Sequence, residues 1–314
     1  MELVRSNFHI AMFPWFAMGH LTPGLGIKSM YYGVICAAVY AAALERQRRN
    51  PPPPYPSSTV VMTRDYEVRS LIAIREPCGE GVTFYQRVIT STKECDAFCL
   101  RTCRELEGDF CDYLEAKYQK PVLLTGPVLG LNKIPQQLED RWAEWFAGFE
   151  AGSLVFCAFG SQWIFEKDQF QEVLLGFELT GLPFLVALKP PLGCETIEEA
   201  LPDGFEERVR GRGVVFGGWV QQPLILSHPA VGCFILGTKL MAKELKVAVE
   251  VEREESGWIS KESLKEAIKS VMDTESEVGV VVKRNHEKWR EIVSEAGFMS
   301  GYVDRFVQNL KQIV

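Results

Sequence analysis

The second half of the chain alternates between short apolar runs and longer amphipathic stretches. The apolar runs have the character of buried strands and lie at 153–161, 183–189, 213–220 and 230–235. The stretch 166–181 has helical periodicity, and 260–272 is expected to be a helix with Ser260 at its N-cap. Because parallel strands need a crossover between them, usually a helix, this alternation predicts a parallel sheet with helices on both faces.

The first half of the chain is less regular. A strand "FHIAMF" is expected near the start, and a second strand beginning at Met30 runs into a helix. The segment 92–118 is expected to be helical throughout, and 121–127 to be a strand. On such a helix Cys95, Cys99 and Cys103 would form a stripe of buried thiols. That interpretation is favoured over a metal or redox site because no histidine accompanies them.

Charge and cysteine content exclude several classes of protein. A net charge of -7, from 34 basic and 41 acidic residues, gives no basic face for nucleic acid. Nine scattered cysteines without a C-x-x-C pair argue against a zinc site and against a secreted disulfide framework. The apolar run 30–44 is shorter than the ~20 residues of a membrane-spanning helix. We therefore expect a cytoplasmic protein without a metal, a nucleic-acid partner or a membrane span.

Two turns at the ends of predicted strands are candidate ligand sites. Gly160 and Ser161 place backbone N–H groups and a hydroxyl before a helix, which suits a phosphate, although a simple serine N-cap explains the pattern equally well. His20 stands just past the first predicted strand, where α/β folds place ligand groups. A lone histidine is more often structural than catalytic, but Gly19 and Pro23 indicate a shaped turn here.

A third candidate surface lies at the end of the predicted strand 213–220. Trp219 is expected at the carboxyl edge of the sheet, where a base could stack on its ring, unless it is an ordinary core tryptophan. Gln221 and Gln222 offer amide donors and acceptors to an uncharged ring or to ribose hydroxyls. The sequence has no P-loop and no nucleophile elbow, and "GHLTPGLG" lacks the third glycine of a dinucleotide fingerprint. A nicotinamide site is therefore poorly supported.

Several long segments resemble one family. The stretch "LPDGFEERVRGRGVVFGGWVQQPLILSHPAVGCF" is similar to the region leading into the signature motif of plant UDP-dependent glycosyltransferases, and to the first third of that motif. The segments "FHIAMFPWFAMGHLTP", "RTCRELEGDFCDYLE", "SLVFCAFGSQ" and "KLMAKELKVAVEVEREESGWISKESLKEAI" resemble the same family. The resemblance points to the inverting branch that adds a sugar to a sugar already present on a flavonoid or anthocyanidin.

The resemblance implies an α/β fold of the GT-B type, with two Rossmann-like domains facing each other across a cleft. It divides the chain into a truncated acceptor-side domain at 1–128, a linker at 129–141, a UDP-sugar-binding domain at 142–290, and a C-terminal helix at 291–314 that crosses back to the first domain. The partners it implies are a UDP-sugar, as a co-substrate rather than a cofactor, and a small-molecule acceptor.

The resemblance also implies roles for residues that match the family's motifs. His20 would be the base that removes the proton from the acceptor hydroxyl, in a direct displacement without a metal. On the donor side, Ser161 would lie near the diphosphate and the Trp219 ring would stack on uracil. The Val220 backbone would meet the polar edge of uracil, and the Gln222 amide would reach the ribose, with Gln221 beside it.

Two parts of the family pattern are missing from the chain. After Phe234 the family continues with groups that hold the diphosphate, the ribose and the sugar, whereas here Ile235 is followed almost directly by the helix that begins near Lys239. Between Gly26 and Tyr31 the family has several more elements and the carboxylate that orients the catalytic histidine. The sequence thus leaves a second hypothesis open: a truncated, non-catalytic family member, either a pseudoenzyme or a mis-spliced product, with at most weak UDP binding.

Overall fold

The computed structural model describes residues 28–44, 55–57, 81–127, 137–158, 164–235 and 240–313. The predicted first strand, His20, Gly160 and Ser161 lie outside the described residues. Contacts divide the chain into two compact units. The first contains the described residues up to Pro127 together with those from Met299 onward, and the second contains the residues between them.

The first unit is built on a small parallel sheet in the order β1-β2-β3. Its strands are β1 (Met30–Gly33), β2 (Ala97–Leu100) and β3 (Val122–Leu124). Its helices are α1 (Ala37–Leu44), α2 (Phe84–Glu94) and α3 (Arg104–Tyr118). The middle strand is buried along its whole length, because it has a neighbour on each side and helices above it.

The prediction of a continuous helix over 92–118 is wrong. The helix α2 ends at Glu94, and the next four residues after Asp96 form the central strand of the sheet. Cys99 lies on that strand, while Cys95 and Cys103 stand at the ends of the two helices, so the stripe of thiols on a helix face does not exist. All three thiols are buried, as expected. A short apolar run that is buried on both faces has no alternation, so periodicity could not distinguish it from a helix segment.

A buried carboxyl group fixes the start of α1. Glu107 lies on α3, where its non-helical φ of -139° marks a kink, and only 3% of the residue is exposed. Its two oxygens accept hydrogen bonds from the backbone N–H groups of Ala37 at 3.1 Å and Ala38 at 2.9 Å, and the Thr102 hydroxyl donates to it at 2.5 Å. The first N–H groups of a helix have no partner inside the helix, so this side chain supplies the missing acceptor from another element.

The last helix of the chain packs in the first unit. This helix, α10, spans Phe298–Ile313. The Tyr302 hydroxyl accepts a hydrogen bond from the Arg104 N–H at 2.8 Å and donates one to the Glu105 carboxyl at 2.6 Å. Gly126 lets the helix approach closely, since a Cβ at that position would lie 3.1 Å from both Met299 and Tyr302. The predicted domain boundaries, including the return of 291–314, stay predictions.

The second unit is built on a parallel sheet in the order β6-β5-β4-β7. Its strands are β4 (Leu154–Ala158), β5 (Phe184–Ala187), β6 (Gly213–Phe216) and β7 (Val231–Ile235). Its helices are α4 (Asp140–Phe146), α5 (Lys167–Thr180), α6 (Phe205–Arg208), α7 (Gln222–Leu226), α8 (Lys261–Met272) and α9 (Glu277–Ser294). Short 3₁₀ and π turns lie at Glu198–Ala200 and Leu240–Glu244. The predicted parallel sheet is confirmed, and the Ser260 hydroxyl caps α8 as expected.

Both faces of the second sheet are covered. Leu154 and Phe156 of β4 pack on one side with Trp142 and Phe146 of α4. The alternate residues of β4, Val155 and Cys157, pack on the other side, against a cluster that includes residues of α5 and α8. Successive side chains of a strand point to opposite faces, so a strand covered on both sides is a continuous apolar run. This is why the sequence predicted these strands well.

Candidate functional site

The carboxyl ends of the four parallel strands of the second sheet meet at one edge. The register places Ala158, Ala187 and Phe216 side by side, so β4, β5 and β6 end level with each other. All four strands are parallel. The strands β5 and β6 are added on one side of β4, and β7 is added on its other side. In open α/β sheets such an edge, next to the strand from which the sheet is extended on both sides, is where ligands bind. The predicted diphosphate residue Ser161 follows β4 but lies outside the described residues and stays a prediction.

A turn after β6 presents Trp219 to solvent. The strand ends at Phe216, earlier than the predicted end at 220, and Trp219 is 75% exposed. Two glycines make this turn possible, since a Cβ on Gly218 would lie 2.8 Å from the Phe216 ring and one on Gly217 would lie 3.0 Å from Ile197. The alternative of an ordinary core tryptophan is therefore wrong. A large exposed ring at a sheet edge is a surface on which a planar group can stack.

Val220 anchors the turn and leaves a donor beside the ring. Its side chain is buried in the same cluster as Trp142 and Ile225. Its carbonyl oxygen accepts a hydrogen bond from the Gln222 N–H at 2.8 Å. Within the described ranges no group accepts a hydrogen bond from the Val220 N–H. The turn thus combines an exposed tryptophan with a backbone N–H that has no acceptor in the described ranges.

The structure separates the two glutamines that the sequence grouped together. Gln222 begins α7, is partly exposed, and its amide makes no hydrogen bond to the part of the chain that the structure describes. The Gln221 amide is engaged at both ends: its Oε1 accepts from the Glu139 N–H at 2.7 Å, and its Nε2 donates to the Gln137 carbonyl at 3.2 Å. Of the two glutamines, only Gln222 has a side-chain amide without a hydrogen-bond partner among the described residues.

Sequence reasoning missed a cation at this edge. The Arg141 guanidinium lies 4.6 Å from the centre of the Phe216 ring and 4.7 Å from that of Trp142, and it pairs with the Glu139 carboxylate at 2.7 Å. Arg141 is the last residue of the predicted linker, and nothing in its local sequence indicates that it reaches the end of β6. It adds a half-exposed positive charge close to the Trp219 turn.

The two thiols on β4 and β7 are not nucleophiles. Burial raises the pKa of the Cys233 thiol on β7 to about 12, and that of Cys157 on β4 well above its ordinary value. Both stay protonated at neutral pH, so neither is a nucleophile there.

Among the described residues no cluster of three or more metal-ligating side chains is found. No helix in the described ranges is long and apolar enough to span a membrane.

The fold is similar to that of solved plant glycosyltransferases. An apo structure of UGT2 from Phytolacca americana matches with a TM-score of 0.69 at 17% identity, covering 94% of this chain and 74% of that chain. A UGT transferase from Siraitia grosvenorii in complex with UDP matches with a TM-score of 0.68 at 21% identity, covering 93% of this chain and 79% of that chain. The predicted α/β fold of the GT-B type is confirmed.

Sequence relatives define the family more closely. UDP-glycosyltransferase 79B6 of Arabidopsis thaliana is 48% identical over 337 residues, which cover 96% of this chain and 74% of the relative. An anthocyanidin 3-O-glucoside 2'''-O-xylosyltransferase of the same plant is 51% identical over 83% of this chain and 62% of the relative. No family model matches the chain. The chain belongs to the plant UDP-glycosyltransferases.

The relatives also show that internal sequence is missing. The match to UDP-glycosyltransferase 79B6 extends over 337 positions, whereas the whole chain has 314 residues, so at least 23 positions of that match have no residue here. The chain therefore lacks internal sequence that this relative has, as predicted. The assignment of the gaps to the stretches after Gly26 and after Phe234 stays a prediction, as does the role of His20.

Proposed function

We propose that the chain binds a UDP-sugar at the turn that carries Trp219. It transfers the sugar, with inversion, to a hydroxyl of a flavonoid or anthocyanidin glycoside. The observation that carries the proposal is a tryptophan, 75% exposed, at the carboxyl edge of a parallel sheet, next to a backbone N–H without an acceptor in the described ranges. The acceptor class is taken from the relative named as an anthocyanidin glucoside xylosyltransferase.

The donor half of the proposal uses groups of the second unit. Uracil stacks on the Trp219 ring, and the Val220 N–H donates to a uracil carbonyl. The Gln222 amide hydrogen-bonds the ribose hydroxyls. Base stacking contributes roughly 1–3 kcal/mol and each neutral hydrogen bond about 0.5–1.5 kcal/mol. Ser161, which follows β4, is proposed to meet the diphosphate.

The acceptor half of the proposal depends on His20. Its imidazole takes the proton of the acceptor hydroxyl while that oxygen attacks the anomeric carbon, and UDP leaves from the opposite face. A histidine suits this step because its pKa lies near neutral pH, and a positioned base contributes about 10²–10⁴-fold to the rate. The proposal includes no metal and no cofactor, and the UDP-sugar is a co-substrate.

A second candidate function is favoured by the short connection after β7. Only four residues separate Ile235 from the helical turn at Leu240, which is too few for a strand-and-helix crossover. On this proposal, the groups that the family is expected to place there for the diphosphate and the sugar have no counterpart in the chain. The chain would then recognise uridine weakly, at about 1 mM or weaker, without transferring a sugar.

We also propose a cytoplasmic location. The eight described cysteines carry free thiols, and five of them are buried. Free thiols are typical of a reducing compartment. Fractionation of plant cells that express a tagged chain checks this proposal, and recovery from the secreted fraction would contradict it.

Titration calorimetry with UDP tests the donor site. The unchanged chain is expected to bind UDP, and Trp219→Ala is expected to abolish measurable binding because the stacking surface is lost. Val278→Ala is the control, since Val278 is an exposed apolar residue on α9 rather than on the turn. Equal UDP affinity of the Trp219→Ala chain and the unchanged chain would contradict the proposed site.

A chromatographic transfer assay separates the two candidates. With a UDP-sugar and a flavonoid glucoside, the first candidate predicts product from the unchanged chain and none from His20→Ala. The control is His286→Ala, because His286 is exposed on α9. The second candidate predicts background product from all three proteins. Restoring family-type sequence after Gly26 and after Phe234 should then bring transfer back, and persistence of transfer in the restored His20→Ala protein would contradict the base assignment.

A further inference from the structure

Gln221 joins two parts of the second unit that are far apart in sequence. Its amide lies between the backbone of residues 137–139 and the turn that carries Trp219. The Oε1 atom accepts from the Glu139 N–H at 2.7 Å, and Nε2 donates to the Gln137 carbonyl at 3.2 Å. Both bonds have the polarity that the amide requires, with oxygen toward the N–H and nitrogen toward the carbonyl.

The bond to Glu139 completes the N-terminus of α4. Glu139 is the N-cap of that helix, and its own side chain makes no capping hydrogen bond. In a capping box, a Glu or Gln at the third helical position accepts from the N-cap N–H. The third position of α4 is Trp142, whose indole has no acceptor. Gln221 therefore supplies the missing acceptor from 82 residues further along the chain.

A second contact holds the same two segments together. The Arg141 guanidinium stacks on Phe216, the residue at which β6 ends and the turn begins. The turn is thus held at Phe216 by Arg141 and at Gln221 by the hydrogen-bonded backbone. Between these points lie Gly217 and Gly218, which restrict the backbone least of all residues.

We infer that Gln221 is a positioning residue for the uridine site and not a ligand of UDP. This inference rests on the proposed donor function of Trp219. Turning the Gln221 amide toward the ribose would break its bonds to both backbone partners. Held in place, the amide fixes the conformation of the turn, so that uridine meets a ring already oriented for stacking and less ordering is needed on binding.

The Glu139 side of the bond provides the sharpest test. The φ of Glu139 is -52°, which a proline ring accommodates, so Glu139→Pro removes the N–H with little change in the backbone. Glu139→Ala is the matched control, because it removes the same carboxylate and keeps the N–H. Gln137→Ala is a second control, since Gln137 contributes only its backbone carbonyl.

UDP titration of these variants distinguishes a positioning residue from a ligand. Gln221→Ala and Glu139→Pro should each weaken UDP binding roughly tenfold, and the double variant should be no weaker than either single variant. Gln137→Ala should bind as the unchanged chain does. Glu139→Ala should bind clearly more tightly than Glu139→Pro, because both lose the ion pair with Arg141 but only the proline variant lacks the N–H. If Gln221→Ala weakens binding while Glu139→Pro leaves it unchanged, Gln221 is a ligand and the inference is overturned.

Amide hydrogen exchange provides a readout that needs no ligand. In the unchanged chain the Glu139 N–H should exchange slowly, and Gln221→Ala should accelerate exchange at Glu139 and in residues 217–222. Unchanged exchange would overturn the inference even if UDP binding fell. If the unchanged chain does not bind UDP but the exchange behaves as expected, the proposed donor site fails while the attachment of the turn through Gln221 is supported.

Discussion

The two sheets of the protein are stabilised in different ways. In the second unit, apolar side chains cover both faces, and α5 packs so closely on α8 that a Cβ on Gly176 would lie 2.9 Å from Leu264. In the first unit, residues such as Phe98 and Leu114 are also buried, and single polar side chains join elements that are far apart in sequence. Glu107 caps α1, Tyr302 binds the start of α3, and the Lys120 ammonium donates to carbonyls at the end of α2.

The difference is also visible at the carboxyl end of β1. Tyr32, Val34 and Ile35 are exposed there, whereas β4 has no exposed large apolar residue. Within the described residues β1 has one neighbouring strand, while β4 has two. The first unit thus leaves apolar residues exposed at the end of β1 and adds long-range polar contacts to its buried apolar residues.

The largest expected effect tests the apolar core of the second unit. Phe184 is fully buried on β5 and packs against Phe177 and Phe205. Phe184→Ala should lower the free energy of unfolding by about 3–5 kcal/mol, because it removes apolar burial and leaves a cavity. Denaturant unfolding followed by circular dichroism measures this loss, with Leu192→Ala at an exposed position as control. A loss below about 1 kcal/mol would show that apolar packing does not dominate this unit.

A somewhat smaller effect tests the polar contacts of the first unit. Glu107→Ala leaves three donors, on Ala37, Ala38 and Thr102, without their acceptor. The expected cost is about 3 kcal/mol, since each unsatisfied buried group costs about 1–3 kcal/mol and some relaxation follows. Glu115→Ala, at an exposed position of the same helix, is the control and should be near neutral. Equal stability of the two variants would remove the contrast between the units.

The smallest effect is a dependence on pH in the first unit. The Ser29 N–H, and then Lys28, lower the pKa of the Asp96 carboxyl below its ordinary value. The contribution of Asp96 to the free energy of unfolding is therefore fully present above the pKa of about 3.9 that its carboxyl has in the unfolded chain. It is lost as the pH falls through the lower pKa of the folded state. Asp96→Asn should reduce stability at pH 7 by less than about 1 kcal/mol and flatten the acid limb of a stability-against-pH curve. An unchanged acid limb would contradict this assignment.

The same contrast explains which features the sequence could predict. The strands of the second unit are apolar runs between helices of clear periodicity, and their order along the chain was predicted correctly. The strand β2 was taken for a helix because four consecutive buried residues have no period. Glu107 on Ala37 and Gln221 on Glu139 join residues 70 and 82 positions apart, and no local pattern indicates such pairs.

The candidate site was predicted in part for the same reason. Trp219 was expected at the carboxyl edge of the sheet, and the alternation of strands and helices is sufficient to place it there. The sequence grouped Gln221 with Gln222 because adjacent amides look alike. Only the geometry shows that one amide is bound to the backbone and the other has no hydrogen-bond partner among the described residues.

The position of Tyr302 has a consequence for synthesis. The backbone N–H of Arg104 and the carboxyl of Glu105 find their partner on a helix translated almost two hundred residues later. During translation the second unit can close its core as soon as α8 has left the ribosome. The first unit must wait for the last helix, so the part of the protein that is made first is the last to be completed.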